Sequence, residues 1–420
     1  MSAPSQQPAA ATLDLSRWSK LPERVMIGGA VIALIGLLTN FKLFLYSYLT
    51  AFMFFLSLGL GALFLVMLHH LFDAMWTVPI RRFVEHIACL LFPWLFVLSI
   101  PIAIFAPMIY PWMGLSPEAA HADHALHAKH HYMNYVAWYG RWLLVFGVWY
   151  WLSNGLRKAS LKQDETGGAD CTRAMRKYSA GGIVLFAFTL TMGVVDWMKS
   201  LEHQFFSTMY GVYYFAGSVW TTLATVYLIT ILLQRAGPLK DVVKTSTILD
   251  CGKLFFAFTV FYAYIHFSQY FLIWNAALPE ETFWYVKREQ GAWEHIGYLL
   301  LFGHFFVPFL LLLRIDAKTN LAVMVPICVW AWIMHLCDMG YNVMPALKVN
   351  GVAVHANGPS AEAVLYTLGC AAFMAGLLAR RFIKSFQAHP PYPQRDPRIA
   401  EAMGVYVPPA SESHAHGGAK

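Results

Sequence analysis

The sequence carries little charge for its length. Only 13% of its 420 residues are Asp, Glu, Lys or Arg, whereas roughly a quarter of a soluble domain is charged. Hydrophobic residues make up 58% of the chain, and several apolar runs exceed the roughly 20 residues that a helix needs to cross a bilayer. A β-barrel would instead show short segments of alternating polarity. The fold class that we predict is therefore an all-α polytopic membrane protein.

Cysteine motifs for cofactors are also missing. The six cysteines are scattered, and none belongs to a C-x-x-C or C-x-x-C-H motif. Covalent haem, an iron–sulfur cluster or a zinc site held by this chain alone is therefore not expected, and no metal site is predicted. The first 24 residues lack a cleavable signal pattern, so the first helix is expected to direct membrane insertion itself.

Apolar runs separated by polar loops predict ten transmembrane helices. They lie at 24–41, 43–70, 83–108, 132–153, 178–199, 207–233, 251–275, 293–314, 321–344 and 362–384.

A faint internal repeat predicts how these helices group. The second span begins at Leu43 and Glu85 follows 42 residues later, while the sixth begins at Ser207 and Asp250 follows 43 residues later. Parallel repeats are common in membrane proteins, although apolar helices can also resemble one another by chance. We predict cytoplasmic tails at 1–23 and 385–420, flanking helices at 24–41 and 362–384, and two four-helix bundles at 43–199 and 207–344.

The distribution of Lys and Arg predicts the orientation. Of 30 such residues, 23 fall on one side of the predicted membrane, and this side is expected to be cytoplasmic. Both termini are then cytoplasmic. The net charge of +7 follows from this bias, so it does not indicate nucleic-acid binding. The remaining basic residues, on the predicted periplasmic side, are Lys42, Lys129, Arg141, Lys199, Lys287, Arg288 and Lys348.

A polar segment joins two apolar runs in the stretch 190–218. It contains Asp196, Lys199 and Glu202. Asp196 lies within a turn of the end of its span, and a carboxylate at that depth usually marks an ion pair, a proton relay or a substrate path. The simpler interpretation is a helix end, in which Asp196 pairs with Lys199 and Ser207 caps the next helix.

Ionisable side chains inside the spans are the candidate functional residues. His335 and Asp338 are three residues apart and share a helix face, as do His266 and Gln269. His titrates near neutral pH and a desolvated Asp can do so, so such groups could pass protons. Each His alone could instead be a core residue bonded to a backbone carbonyl. The predicted proton path comprises Arg141, Asp196, Lys199, His266, His304, His335 and Asp338, with Glu85 and Asp250 as cytoplasmic openings.

Other features leave alternatives open. His266 and His335 could face each other as ligands of a b-type haem, although no haem is expected. The stretch 116–131 places a His at every third position from 121 to 130, which indicates a surface or docking helix and, as an alternative, a metal site. The loop 275–292 is predicted to be a surface presented to a partner protein, or else a plain connection with interfacial aromatic residues.

Two motifs resemble a known family. The stretch 196–211 reads D-W-M-K-S-L-E-H-Q-F-F-S-T-M-Y-G, and 266–285 reads H-F-S-Q-Y-F-L-I-W-N-A-A-L-P-E-E-T-F-W-Y. Together they resemble the ActF membrane subunits of bacterial alternative complex III, which are similar to the NrfD/polysulfide-reductase membrane family. The resemblance covers essentially all ten predicted spans.

The resemblance implies an integral membrane subunit of a respiratory quinol:cytochrome c (electron acceptor) oxidoreductase in the bacterial inner membrane. The subunit would bind no cofactor on its own, with menaquinone or another quinone as the candidate ligand. Its partners would be a sister NrfD-like subunit, a multihaem cytochrome c, iron–sulfur subunits and the lipid bilayer. The matching positions are Asp196, Glu202, Ser207, His266, Gln269 and Asn275.

The expected role is non-redox, combining assembly of the complex with proton translocation. A working quinol site in this chain is one alternative, because a quinone needs an apolar slot and a few hydrogen-bonding groups; its residues are not identified by the motifs. A free-standing membrane transporter is the other alternative.

Overall fold

The structure is a computed structural model that describes residues 16–349, 352–353 and 357–405. The outer parts of both predicted tails, 1–15 and 406–420, lie outside the described residues. Within the described chain, nine helical segments are long and apolar enough to cross a membrane. The prediction of an all-α polytopic membrane protein is therefore confirmed.

The helices follow one another with short connections. The α-helices are α1 (Ser16–Thr39), α2 (Phe41–Phe72), α3 (Val78–Ala88), α4 (Trp94–Ile104), α5 (Ala106–Ile109), α6 (Pro117–Ala122), α7 (His124–Ala128), α8 (Tyr135–Thr166), α9 (Ala169–Trp197), α10 (Tyr210–Ala236), α11 (Thr245–Ala276), α12 (Pro279–Val286), α13 (Ala292–Leu299), α14 (Val307–Leu312), α15 (Leu321–Val343), α16 (Ala361–Gln387) and α17 (Ile399–Ala402).

Other backbone forms are confined to short segments. A two-residue antiparallel hairpin pairs β1 (Lys348–Val349) with β2 (Val352–Ala353). A π-helical segment, Leu300–Phe306, joins α13 to α14. The 3₁₀ segments are Met75–Thr77, Cys89–Leu91, Pro111–Gly114, Lys199–Glu202, Asp316–Lys318 and Met344–Ala346.

The predicted span at 132–153 lies in α8 from Tyr135 onward, and α8 is not among the nine apolar helices. The helix is 32 residues long, which is more than enough to cross a bilayer, but Arg141 and many Trp, Tyr and Gly residues lower its hydropathy. It packs along α9, and the connection uses Gly167 in the left-handed conformation, whose N–H donates to the Gln163 carbonyl. The count of ten spans stays a prediction.

Helix α2 is the centre of the fold. It contacts α3, α9, α10, α15 and α16, and nearly all of its side chains from Leu43 to His70 are buried. Because α2 packs on α9 as well as on α10 and α15, it contacts both predicted four-helix bundles. The division of the helices into these two bundles stays a prediction. Close approach to α10 requires Gly61, where a Cβ atom would lie 2.2 Å from Thr222 Oγ1.

Two stretches fold differently from the sequence interpretation. The His-rich stretch 116–131 is not one helix, because Asp123 ends α6 and caps α7 by accepting from the Leu126 N–H. The loop 275–292 is not wholly a presented surface, since Trp284, Tyr285 and Arg288 are buried. Arg288 is 0% exposed and lies against α15, as described below.

Candidate functional site

Three ionisable side chains meet in the interior of the helix assembly. His304 comes from the π-helical segment, and His335 and Asp338 come from one face of α15. Each is 0% exposed, and one potential ligand atom from each lies within 4.8 Å of the others. Both ring nitrogens of His304, His335 Nδ1 and Asp338 Oδ2 have no hydrogen-bond partner among the described residues. Buried polar atoms are normally paired, so this group points to a function.

Ser57 holds the edge of the His335 ring that carries Nε2. Ser57 Oγ lies 3.0 Å from His335 Nε2, and it donates its own hydrogen to the Phe54 carbonyl at 2.7 Å. Ser57 therefore accepts from His335 Nε2–H, which leaves His335 Nδ1 as an unprotonated acceptor. That nitrogen lies 4.0 Å from Asp338 Oδ2. These hydrogen bonds thus leave His335 Nδ1 as a proton acceptor near Asp338 Oδ2.

Tyrosine and asparagine side chains fix the carboxyl group of Asp338. Tyr213 donates its hydroxyl hydrogen to Asp338 Oδ1, and Asn342 Nδ2 donates to the same oxygen at 3.2 Å. The hydroxyl of Tyr262 lies 3.2 Å from that of Tyr213. Oδ1 is therefore saturated, while Oδ2 is free to carry or release a proton.

The backbone and two aromatic rings hold His304 in place. Its ring stacks between Trp220 at 3.8 Å and Tyr262 at 3.7 Å, measured between ring centroids. The π-helical turn that carries it is a rare conformation that often occurs at functional sites. His266, which was predicted as part of the same path, contacts Tyr213 and Tyr262 edge-on instead.

A hydrogen-bonded chain leads from Asp338 toward the predicted periplasmic surface. Tyr210 donates to Asn342 Oδ1 at 2.9 Å. The backbone carbonyl of Asn342 accepts from Arg288 Nη2 at 3.0 Å, and Arg288 Nη1 lies 3.2 Å from Glu202 Oε2. Lys287 Nζ, 2.8 Å from Glu202 Oε1, is partly exposed. Glu202 therefore lies at the outer end of this chain.

Arg288 organises the outer end of the chain. Its guanidinium donates to the carbonyls of Tyr341 at 2.9 Å and Trp284 at 2.9 Å, and stacks 3.5 Å from the Trp284 ring centroid. Burial by itself would raise the pKa of Glu202, but Arg288 and then Lys287 outweigh it and hold the pKa of that carboxyl below its usual value. Glu202 is therefore ionised at neutral pH and joins the turn after α9 to the residues that follow α12.

A second buried ion pair joins α8 to the end of α9. Arg141 Nε lies 2.6 Å from Asp196 Oδ2, and Nη2 lies 2.9 Å from Oδ1. The guanidinium also stacks on Tyr132, with 3.7 Å to the ring centroid. The interpretation that pairs Asp196 with Lys199 is wrong, because the 3₁₀ turn after Trp197 carries Lys199 elsewhere.

The predicted cap at Ser207 is also wrong. Helix α10 begins at Tyr210 without a side-chain cap, and Ser207 Oγ donates instead to Gln269 Oε1 at 2.8 Å. Gln269 in turn donates to the Tyr285 hydroxyl at 3.1 Å. These two residues of the motif stretches thus bind each other, whereas the motif residue Asn275 is exposed at the end of α11.

The two predicted cytoplasmic openings lie in different settings. Glu85 is buried, with Arg81 Nε 3.1 Å and Arg82 Nη1 3.5 Å from its carboxyl oxygens. Asp250 forms a surface pair with Lys253 at 2.9 Å. Within the described residues, we find no chain of hydrogen bonds that joins either acid to Asp338.

The predicted path residues therefore form separate groups. His304, His335 and Asp338 come together, and Arg141 pairs with Asp196. Sequence reasoning missed the residues around this group. They are Ser57 at His335, Tyr213 and Asn342 at Asp338, Tyr262 against His304, and, further out, Tyr210 and Arg288 at Asn342. Asn342 was detectable, because it follows Asp338 by four residues on the same helix face. The three-residue spacing of Tyr210 and Tyr213 was a similar signal.

Two histidines and one carboxylate are also a ligand set that divalent transition metals use. Although no metal site was predicted, His304, His335 and Asp338 have the donor atoms and the proximity to hold one ion. In comparisons with known proteins, no family model and no curated protein matches this chain. The assignment of a function therefore depends on the geometry and on the motif resemblance.

Proposed function

We propose that this chain is a non-redox membrane subunit of a quinol-oxidising respiratory complex, and that it transfers protons through the buried group formed by His304, His335 and Asp338. The observation that carries the proton-transfer part is the set of unpaired buried atoms on these three residues. Membership of an electron-transfer complex is supported by the resemblance of the stretches 196–211 and 266–285 to ActF-type subunits.

The chemistry follows from the hydrogen-bond directions. Asp338 Oδ2 holds a proton while Tyr213 and Asn342 bind Oδ1. His335 Nδ1 is an acceptor 4.0 Å away, so one bridging water or a small ring movement allows the transfer. His304 then offers the next acceptor. On the outward side the Asn342 amide lies between the hydroxyl groups of Tyr213 and Tyr210. Because an amide does not relay protons, the outward continuation of the path would require water beside these hydroxyl groups, which can both donate and accept.

The first experiment tests membership of a complex. The tagged full-length chain is purified from its native membranes in mild detergent, and the eluate is stained for haem. Co-purification of a haem protein and of a second polytopic subunit is expected. Purification of the chain alone as a stable oligomer would contradict the proposal and favour a transporter.

The second experiment tests proton transfer. In proteoliposomes containing the complex, Asp338→Asn should lower the number of protons translocated per electron while subunit composition is unchanged. Asp241→Asn is the matched control, because Asp241 is exposed on the loop between α10 and α11. An unchanged proton yield in Asp338→Asn would remove proton transfer from the proposed function.

A further inference from the structure

A cationic cavity lies where α9 ends, apart from the buried histidine group. Its volume is 320 Å³, and its wall includes Lys129, His131, Tyr132, Lys199 and His203. Trp197 ends the apolar helix two residues before Lys199, so the cavity lies at the level where a lipid headgroup begins. Cavities of this size accommodate small ligands.

The two lysines of the cavity leave donors unused. Lys129 Nζ donates to the His203 carbonyl at 2.6 Å and lies 3.7 Å from the centroid of the Phe206 ring. Lys199 Nζ has no hydrogen-bond or ion-pair partner within the described residues, although its side chain is only partly exposed. An ammonium group has three donors, so most of the N–H donors of these two lysines are not used by the described residues.

The surrounding charges favour an anion. Among the described residues, the acid beside this cavity is Asp123, whose Oδ2 lies 2.7 Å from His203 Nε2. Asp196 is engaged by Arg141 behind Tyr132. Burial, and after it the charge of Lys199, lowers the pKa of Lys129 to about 8. The charge of Asp123 opposes this shift only in part. The two ammonium groups therefore repel each other across the cavity, and an anion between them would relieve that repulsion.

An apolar strip continues from the cavity along α9. Tyr132 and Val195 line both the cavity and the strip, which extends back to Ile183 and includes the exposed ring of Phe188. Twelve residues of helix from Ile183 to Val195 rise about 18 Å. One leaflet contributes about half of the roughly 30 Å hydrocarbon thickness. The strip therefore matches one acyl chain in length, and the cavity lies at its headgroup end.

We propose that the cavity between Lys129 and Lys199 binds the phosphate of an anionic phospholipid, whose acyl chain lies along the α9 strip. The charge of the cavity selects the phosphate, since a quinol ring is neutral and needs no pair of ammonium groups. This site is independent of the proton-transfer group, so either proposal can fail while the other stands.

The experiment measures lipid retention by the full-length protein. The purified chain is placed in nanodiscs that contain phosphatidylglycerol and phosphatidylcholine in equal amounts. The protein is then extracted and washed with detergent, and the lipids that remain bound to it are quantified by mass spectrometry. Preferential retention of phosphatidylglycerol is expected. Lys129→Gln and Lys199→Gln should each weaken it about fivefold, the effect of one basic side chain near an anionic lipid.

Matched variants separate charge from folding. Lys199→Arg keeps the positive charge and should retain the lipid, which a misfolding effect would not predict. Lys348→Gln removes an exposed lysine on the same predicted side and should change nothing. Equal retention of both lipids, or wild-type retention in both Gln variants, would overturn the proposal.

Displacement of the lipid by millimolar inorganic phosphate would assign the cavity to free phosphate instead. Displacement by a short-chain quinol would assign it to quinol. Either result contradicts the lipid assignment.

Discussion

Glu202→Gln should lower the free energy of unfolding by about 3–5 kcal/mol, the cost of removing one partner from a buried ion pair. Arg288 is 0% exposed and keeps its charge, so the variant leaves a buried guanidinium without a carboxylate. Its three backbone acceptors, the carbonyls of Trp284, Tyr341 and Asn342, remain, but they are dipoles and do not neutralise it.

The assay is thermal unfolding in detergent, monitored through the reactivity of the buried cysteine thiols. With roughly 2 cal/mol/K of unfolding entropy per residue over 420 residues, the loss lowers Tm by about 3–6 °C. Glu289→Gln is the matched control, because Glu289 lies in the same loop and is exposed. A Tm for Glu202→Gln equal to that of the control would refute the assignment of Glu202 as the counter-charge of Arg288.

The same pair predicts a pH dependence. The pKa of Glu202 in the folded protein lies below its usual value of 4.5, because Arg288 and Lys287 outweigh the effect of burial. Its contribution to stability is therefore fully present above pH 4.5 and is lost as the pH falls through the lower, folded pKa. The Tm difference between the wild type and Glu202→Gln should shrink over that acidic range, and a constant difference would contradict the linkage.

Further predictions concern the ion pair of α8 and α9 and the packing around the histidine group. Arg141→Gln and Asp196→Asn should each lower the free energy of unfolding by about 3–5 kcal/mol. In thermal unfolding, the double variant should lower it by at least about 1 kcal/mol less than the sum of the two single effects. Strict additivity would mean that the two side chains do not interact. Gly217→Ala should slow proton translocation by about 10–100-fold, because the added Cβ would lie 2.8 Å from His335 Cε1. Gly181→Ala, which meets nothing within 4 Å, should leave the rate unchanged, and equal rates in the two variants would contradict the proposed role of the ring.

The sequence was sufficient for the features that depend on local patterns. Apolar runs predicted the membrane helices, and three-residue spacing placed His335 and Asp338 on one helix face. The predicted path residues Arg141 and Asp196 do contact each other, although their part in proton transfer stays a prediction.

The features that the sequence did not reveal depend on tertiary contacts. His304 reaches Asp338 only because a π-helical turn and the rings of Trp220 and Tyr262 orient it, and no hydropathy pattern encodes such a turn. Arg288 lies in a polar loop that was predicted to be a surface, yet its side chain is buried because backbone carbonyls at the end of α15 accept from its N–H groups.

The most direct test of proton transfer is whether the Asp338 carboxyl changes its protonation state during turnover. Infrared difference spectra of the complex, recorded as quinol oxidation begins, should contain a carbonyl band of a protonated carboxyl group that is absent in Asp338→Asn and present in Asp241→Asn. A spectrum without such a band, or one that keeps it in Asp338→Asn, would contradict the account and leave the buried histidines and Asp338 as structural groups.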